Sequence, residues 1–252
     1  MTVGTLYALL EERIPQTLSC DWDNDGLMCC PDTAAEVKRV LVALDVTGNT
    51  VRQAIDGGYD LIVSHHPMIF RPLRALEPSS YVARRALELA RSGVSVMSFH
   101  TRLDAVSGGV NDTLAALLGL CDVTPFGEGI GRVGTLVPAR TLCEFAQTVR
   151  SVTGAPAVLS GDAERPVSRV ALLGGSGSDD VPAALAAGAD TYLTGELAYH
   201  YLNDARELGM NLLAAGHFYT ENPVCETLRR MLLALDSTLT VDLYDSNRAV
   251  LI

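Results

Sequence analysis

The chain has 252 residues, 48% of them hydrophobic, enough for one large or two small domains with a sizeable core. Its formal net charge of −11 argues against nonspecific nucleic-acid binding, which needs a basic face. An anionic small substrate stays open, because a metal ion can supply the local positive charge.

Met1 to Leu10 has no basic n-region and no long apolar core, and no run approaches the roughly 20 apolar residues of a membrane span. Neither export nor a membrane is expected, and the expected compartment is the cytoplasm. The six cysteines (Cys20, Cys29, Cys30, Cys121, Cys143, Cys225) include no C-x-x-C pair. They are expected as reduced thiols, mostly small core residues. Cys29-Cys30 reads as core or loop packing rather than as a soft-metal site.

Val3 to Arg13 spaces Leu6, Leu9, Leu10 and Ile14 as a helix does, and Pro15 stops it. In Asp21-Trp22-Asp23-Asn24-Asp25-Gly26-Leu27, the Asn-Asp-Gly is a turn signal. Its carboxylates can bind a cation but lack the EF-hand frame, and the plainer reading is a turn with the Trp packed beneath it. Val40 to Leu44 is an apolar strand ending at Asp45, Thr50 to Gly57 a helix, and Leu61 to Val63 a buried strand, which makes a right-handed β-α-β unit. Ser64-His65-His66 follows, and Pro67 forbids simple continuation. Ser80 to Arg91 is a helix and Val94 to Met97 a strand leading into His100 and Asp104, with a helix from Val110 to Leu118.

Phe126 to Gly134, rich in glycine, is the candidate boundary, dividing the chain into halves 1–126 and 127–252, with the last helix and strand free to pack back on the first half. Beyond it come strands at Arg132 to Val137, Ala155 to Leu159, Val170 to Leu173, Asp190 to Leu193, Asn211 to Ala215 and Thr238 to Tyr244. Helices lie between them at Leu142 to Val152, Val181 to Ala187, Glu196 to Leu208 and Pro223 to Leu235.

Of the five histidines, four (His65, His66, His100, His217) sit just after a predicted strand, where open α/β sheets bind ligands. His100 has Asp104 and His217 has Glu221 four residues on, so each pair shares a face if the segment is helical. A first-row metal takes neutral imidazole with carboxylate, and two metals need a bridging carboxylate. His65, His66, Asp104, His217 and Glu221 can supply both. For each motif alone, a buried hydrogen-bonded histidine, a solvated one or a loop cap is the plainer reading. Gly174-Gly175-Ser176-Gly177-Ser178 is either a phosphate-facing turn or a connection needing positive φ. Arg71 and Arg74 either meet substrate phosphates or lie in a solvated loop, the preferred reading.

In six ordered blocks the chain resembles the NIF3-like family, also labelled GTP cyclohydrolase 1 type 2, over most of its length. The blocks are Asp21 to Leu27, Ala43 to Thr47, Ser64 to Phe70, Ser98 to Asp112, Thr194-Gly195-Glu196 with His200, and Gly216 to Glu221. The resemblance implies two interlinked α/β domains with mixed, mostly parallel sheets flanked by helices and a metal site in the cleft between them. It implies two divalent metal ions (zinc, iron, manganese or cobalt) on His65, His66, Asp104, His217 and Glu221, with Glu221 the bridge. His100 and Asp45 would lie beside the metals, and His100 or His200 would move protons. It also implies a ring-shaped (toroidal) homohexamer, in a short form without an inserted domain. The expected activity is hydrolysis of a purine nucleotide, with opening of the guanine ring of GTP and release of formate. The alternatives are a metal-dependent phosphoester or amide hydrolase, and a non-enzymatic metal-binding scaffold or regulator.

Overall fold

The structure, a computed structural model, describes residues 1–156, 158–160 and 166–249. In chain order the elements are α1 (Val3–Arg13), β1 (Gly26–Cys29), β2 (Arg39–Ala43), α2 (Gly48–Asp56), β3 (Leu61–Ser64), α3 (Tyr81–Ser92), β4 (Ser95–Ser98) and α4 (Thr101–Ala105). Then follow α5 (Val110–Leu117), β5 (Cys121–Phe126), β6 (Gly131–Thr141), α6 (Leu142–Thr153), β7 (Leu159–Ser160), β8 (Pro166–Ser176), α7 (Val181–Ala186) and β9 (Thr191–Glu196). The last are α8 (Tyr199–Leu208), β10 (Asn211–Ala214), α9 (His217–Glu221), α10 (Val224–Leu235) and β11 (Thr240–Tyr244). The chain forms two α/β units, Met1–Val106 with Val224–Ile252, and Ser107–Pro223.

The first unit is built on a five-stranded sheet in the order β1-β4-β3-β2-β11. Only β1 runs antiparallel to its neighbour; the other pairs are parallel. All four residues of β3 are buried, as a continuous apolar run in a central parallel strand requires. Leu41, Ile62 and Val96 pack with Val51 and Ala54 of α2 and Leu89 of α3 on one face. α10 packs on β11 and β2. Helix ends follow local chemistry. Thr47 and Thr50 form a capping box on α2, while Ser80 caps α3, and Gly93 closes it at φ 78°.

The second unit carries a six-stranded mixed sheet in the order β5-β6-β8-β9-β10-β7. Its centre, β8-β9-β10, is parallel and its margins are antiparallel. Alternation along the central strands covers both faces. Leu172, Leu193 and Leu213 pack with Leu114 of α5 and Phe145 of α6. Ala171, Tyr192 and Leu212 pack with Val181 of α7 and Ala205 of α8.

The expected division between residues 126 and 127 falls inside this second sheet. β5 ends at Phe126 and pairs antiparallel with β6, Phe126 opposite Gly131, so the glycine-rich stretch is a hairpin turn. α10 and β11 belong to the first unit, where β11 pairs parallel with β2. β1 stands where only a turn was expected. The expected strand at Ala155 to Leu159 is β7, Leu159–Ser160, with Ala157 outside the described residues. Of the six cysteines only Cys225 is buried, so most are not core residues.

Candidate metal centre

In the first unit, register decides which loops meet. Ala43 pairs with Ser64, Ser64 with Ser98, and Tyr244 with Ala43. The residues that follow these strands, Asp45, His65-His66, His100 and Ser246, therefore leave the sheet in one row at its carboxyl edge, where α/β sheets bind ligands. β1 runs the other way, with Gly26 opposite Ser98, and so delivers Asp21–Asp25 to the same edge.

Three imidazoles converge there, and each is pinned through Nδ1. His65, fully buried, has Nδ1 at 2.9 Å from the Phe99 carbonyl. His66 Nδ1 lies 2.7 Å from Asp45 Oδ1, and His100 Nδ1 2.9 Å from Asp23 Oδ1. Carbonyl and carboxylate oxygens only accept, so the partners assign the proton to Nδ1 and the lone pair of each neutral ring to Nε2. This is the arrangement by which an outer acceptor orients a metal-binding histidine. The three side chains can offer ligand atoms within 4.8 Å of one another. His65 Nε2 also faces Asp104 Oδ1 at 3.6 Å. A lone pair opposite a carboxylate oxygen is repulsive in a buried place, and a cation between them reverses that sign. The donor set therefore fits a divalent metal.

The supports of this row come from far away in sequence. Asp23 Oδ2 accepts from the Thr101 N–H at 3.1 Å and its hydroxyl at 2.7 Å. Burial favours protonation of Asp23, but the bonds from His100 and Thr101 outweigh it and hold the carboxyl well below the usual carboxylate range. Asp25 Oδ2 accepts from the His100 N–H and from Arg102 Nε, both at 3.0 Å. The His100 carbonyl accepts from the N–H groups of Leu103 and Asp104, so the chain turns helical at once and presents Asp104 from α4.

The second unit repeats the layout. Leu173 pairs with Thr194 and Thr194 with Ala214, so Gly174-Gly175, Glu196 and Gly216-His217 leave β8, β9 and β10 at one edge. α9 places His217 and Glu221 on one face, Nε2 to Oε2 3.1 Å, as the four-residue spacing requires. His217 Nδ1 stands 3.5 Å from Glu196 Oε1. Gly175, at φ +72°, leaves room for this pair; a Cβ there would overlap Glu221 Oε1 and stand 3.1 Å from His217 Nε2. The Gly174 N–H goes to Asn111 Oδ1 at 2.8 Å and the Gly175 N–H to Thr220 Oγ1 at 3.1 Å. The turn thus spends these donors within the protein, which removes them from the phosphate-facing reading.

His200 lies exposed on α8 with its ring 4.3 Å from that of Tyr201, and the metal-capable groups among the described residues do not include it. Arg71 and Arg74 are exposed. Trp22 is not packed beneath its turn but 63% exposed. The plain reading of the sequence misses Asp23, Asp25, Glu196 and Ser246 as supports. For the first two, the run of carboxylates ahead of β1 was the available signal. Nothing local marks Ser246.

The family described as Duf34/NIF3 (NGG1p interacting factor 3) matches residues 1–248. A Clostridium perfringens protein named "GTP cyclohydrolase 1 type 2 homolog" is 33% identical over 232 residues, 89% of this chain and 88% of that one. A Lactococcus lactis protein of the same name is 34% identical over 98% of this chain and 96% of its own. A Staphylococcus aureus crystal structure superposes with a TM-score of 0.91 at 25% identity, covering 100% of this chain and 99% of that one. Among the described residues no helix is long and apolar enough to cross a membrane.

Proposed function

The chain belongs to the DUF34/NIF3 family, and from that premise we propose that it is a metal-dependent hydrolase acting on a purine nucleotide. His65, His66, Asp104, His217 and Glu221 would hold two divalent cations, zinc, iron, manganese or cobalt, with Glu221 as the bridging carboxylate. When bound, such a pair supplies Lewis acidity and lowers the pKa of a coordinated water toward ~7.

The chain's own residues supply orientation and proton handling. The Phe99 carbonyl and Asp45 fix the rings of His65 and His66, and Asp23 fixes that of His100. His100, with Nε2 as its basic nitrogen, is the proposed proton carrier, and His200 is the other candidate for that role. The relatives' names suggest the reaction: opening of the guanine ring of GTP with release of formate. The proposed working form is a cytoplasmic ring-shaped homohexamer, which light scattering would read directly as mass.

The observation that carries this reading is the set of three Nδ1-pinned imidazoles with ligand atoms within 4.8 Å of one another. The test is metal analysis of protein purified without chelators, comparing wild type with His66→Ala. About two divalent ions per chain in wild type and a clear loss in the variant are expected. A metal-free wild type would overturn the proposal. Loaded protein is then incubated with GTP. Formate and a pterin-like product support ring opening, whereas phosphate release would move the activity to phosphoesters, and metal binding without turnover would favour the scaffold.

A further inference from the structure

Two large aromatic side chains of the first unit stand in water beside the candidate centre. Trp22 is 63% exposed and Phe70 45% exposed. Leaving such side chains unburied forfeits a large hydrophobic gain, so a pair of them at a ligand-binding edge points to a ligand.

They are joined to His100. Ring centroids are 6.1 Å apart for Trp22 and Phe70, 6.2 Å for Trp22 and His100, and 6.0 Å for Phe70 and His100. The interplanar angles are 73°, 77° and 90°, edge-to-face packing that leaves no slot between the rings. A ligand must therefore lie against their outer surfaces.

The platform is rigid. The Asp23 N–H closes a turn onto the Cys20 carbonyl at 2.9 Å, and the Asp23 carboxylate is tied to His100 and Thr101. Asn24 Nδ2 donates to the Ile69 carbonyl at 2.5 Å, stapling the Trp22 turn to the residue before Phe70. Asp21, Asn24 and Arg71, close to the two rings in sequence, are exposed polar residues. A stable protein interface needs about 800 Å² from each partner, more than this pair offers. A flat ring, by contrast, needs only one fixed aromatic surface.

We propose that Trp22 and Phe70 form a stacking platform for a planar heteroaromatic ring, the ring of the substrate, and hold it along His100 at the edge of the histidine cluster. This rests on the proposed function, since it names the part of the substrate that the hydrolase would bind by its face.

Trp22 is the only tryptophan of the chain, so intrinsic tryptophan fluorescence reports on this residue alone. The full-length protein is titrated with guanosine, with ribose 5-phosphate as the control lacking the heteroaromatic base, and N-acetyltryptophanamide corrects for absorption by guanosine. Saturable quenching by guanosine and none by ribose 5-phosphate is expected. Phe70→Ala, whose side chain is half in water, should weaken guanosine binding about tenfold, with an unchanged far-ultraviolet circular dichroism spectrum. An unquenched signal, or a Phe70→Ala variant of unchanged guanosine affinity, would overturn the proposal. So would tryptophan emission that shifts with protein concentration together with loss of assembly in Phe70→Ala, because the pair would then contact a second copy. Metal analysis of the same preparation, purified without chelators, separates the two readings. A wild type that carries no metal as purified but binds guanosine sinks the hydrolase and keeps the platform, and a metal-loaded chain blind to guanosine does the reverse.

Discussion

Asp45 Oδ1 stands 2.7 Å from His66 Nδ1, and the other oxygen of the same carboxylate accepts from the Ser246 hydroxyl at 3.0 Å. Ser246 Oγ in turn accepts from the Asp45 N–H at 3.2 Å. The circuit closes across 201 residues of chain and fixes the carboxylate in rotation before it fixes the imidazole. Such outer partners commonly change metal affinity by about 10–100-fold. Asp45→Ala should lower the affinity for zinc by that order, read by competition with a chromogenic chelator. Ser246→Ala should shift it the same way by less. Unchanged affinity in Asp45→Ala would mean that His66 needs no orienting partner.

Arg102 is the largest fully buried side chain among the described residues. Its Nε donates to Asp25, Nη1 to Glu11 at 2.5 Å and to the Ile14 carbonyl at 3.1 Å, and its guanidinium lies 4.8 Å from the Phe99 ring centre. Burial favours the neutral form, but Asp25 and Glu11 outweigh it and raise the pKa further, so the charge is held. Arg102→Ala leaves the Asp25 carboxylate without its buried cation and should cost about 3–5 kcal/mol, seen as a lower urea midpoint. Arg102→Lys should recover only part of this, because one ammonium cannot reproduce the fork.

Gly175→Ala combines two faults, a left-handed backbone and a Cβ that overlaps Glu221. The strain should cost about 1–3 kcal/mol, and the displaced Glu221 should reduce metal content. Gly188→Ala is the control: φ is +75° there too, but the nearest atom to a Cβ is Arg169 Nε at 3.9 Å. It should lower the melting temperature without lowering metal content. Equal metal loss in both variants would show that backbone strain alone, not the space beside Glu221, is what matters.

Asp23 links stability to pH. Its folded-state pKa lies below the ordinary carboxylate value, so its stabilisation is complete above that value and fades as the pH falls through the folded one. The stability gap between wild type and Asp23→Ala should be widest near neutral pH. It should narrow below about pH 4, where the unfolded carboxylate of an ordinary aspartate takes up its proton. Urea unfolding across a pH series measures this. A gap that widens toward acid would contradict the assigned direction.

Much of the site is legible in the chain, because its cues are local. Leu61 to Val63 reads as a buried strand from its apolar run, and β3 is that strand. His217 and Glu221 read as one face from their spacing, and α9 confirms it. Other features lack local cues. β5 is a margin strand with most of its residues exposed, so no apolar run marks it and the glycines after it resemble a linker. Trp22 reads as a core residue from its size alone, yet the turn around it is held by Asp23 and Asn24, whose partners lie in other loops.

The sequence by itself determined the donor types and their position just past strand ends, since apolar runs and the residues following them are written contiguously. Only the tertiary structure decided which acceptor pins each imidazole, and so which nitrogen carries the lone pair. Phe99, Asp45 and Asp23 reach His65, His66 and His100 through the register of the first sheet, and that register is set by pairing between segments far apart in the chain.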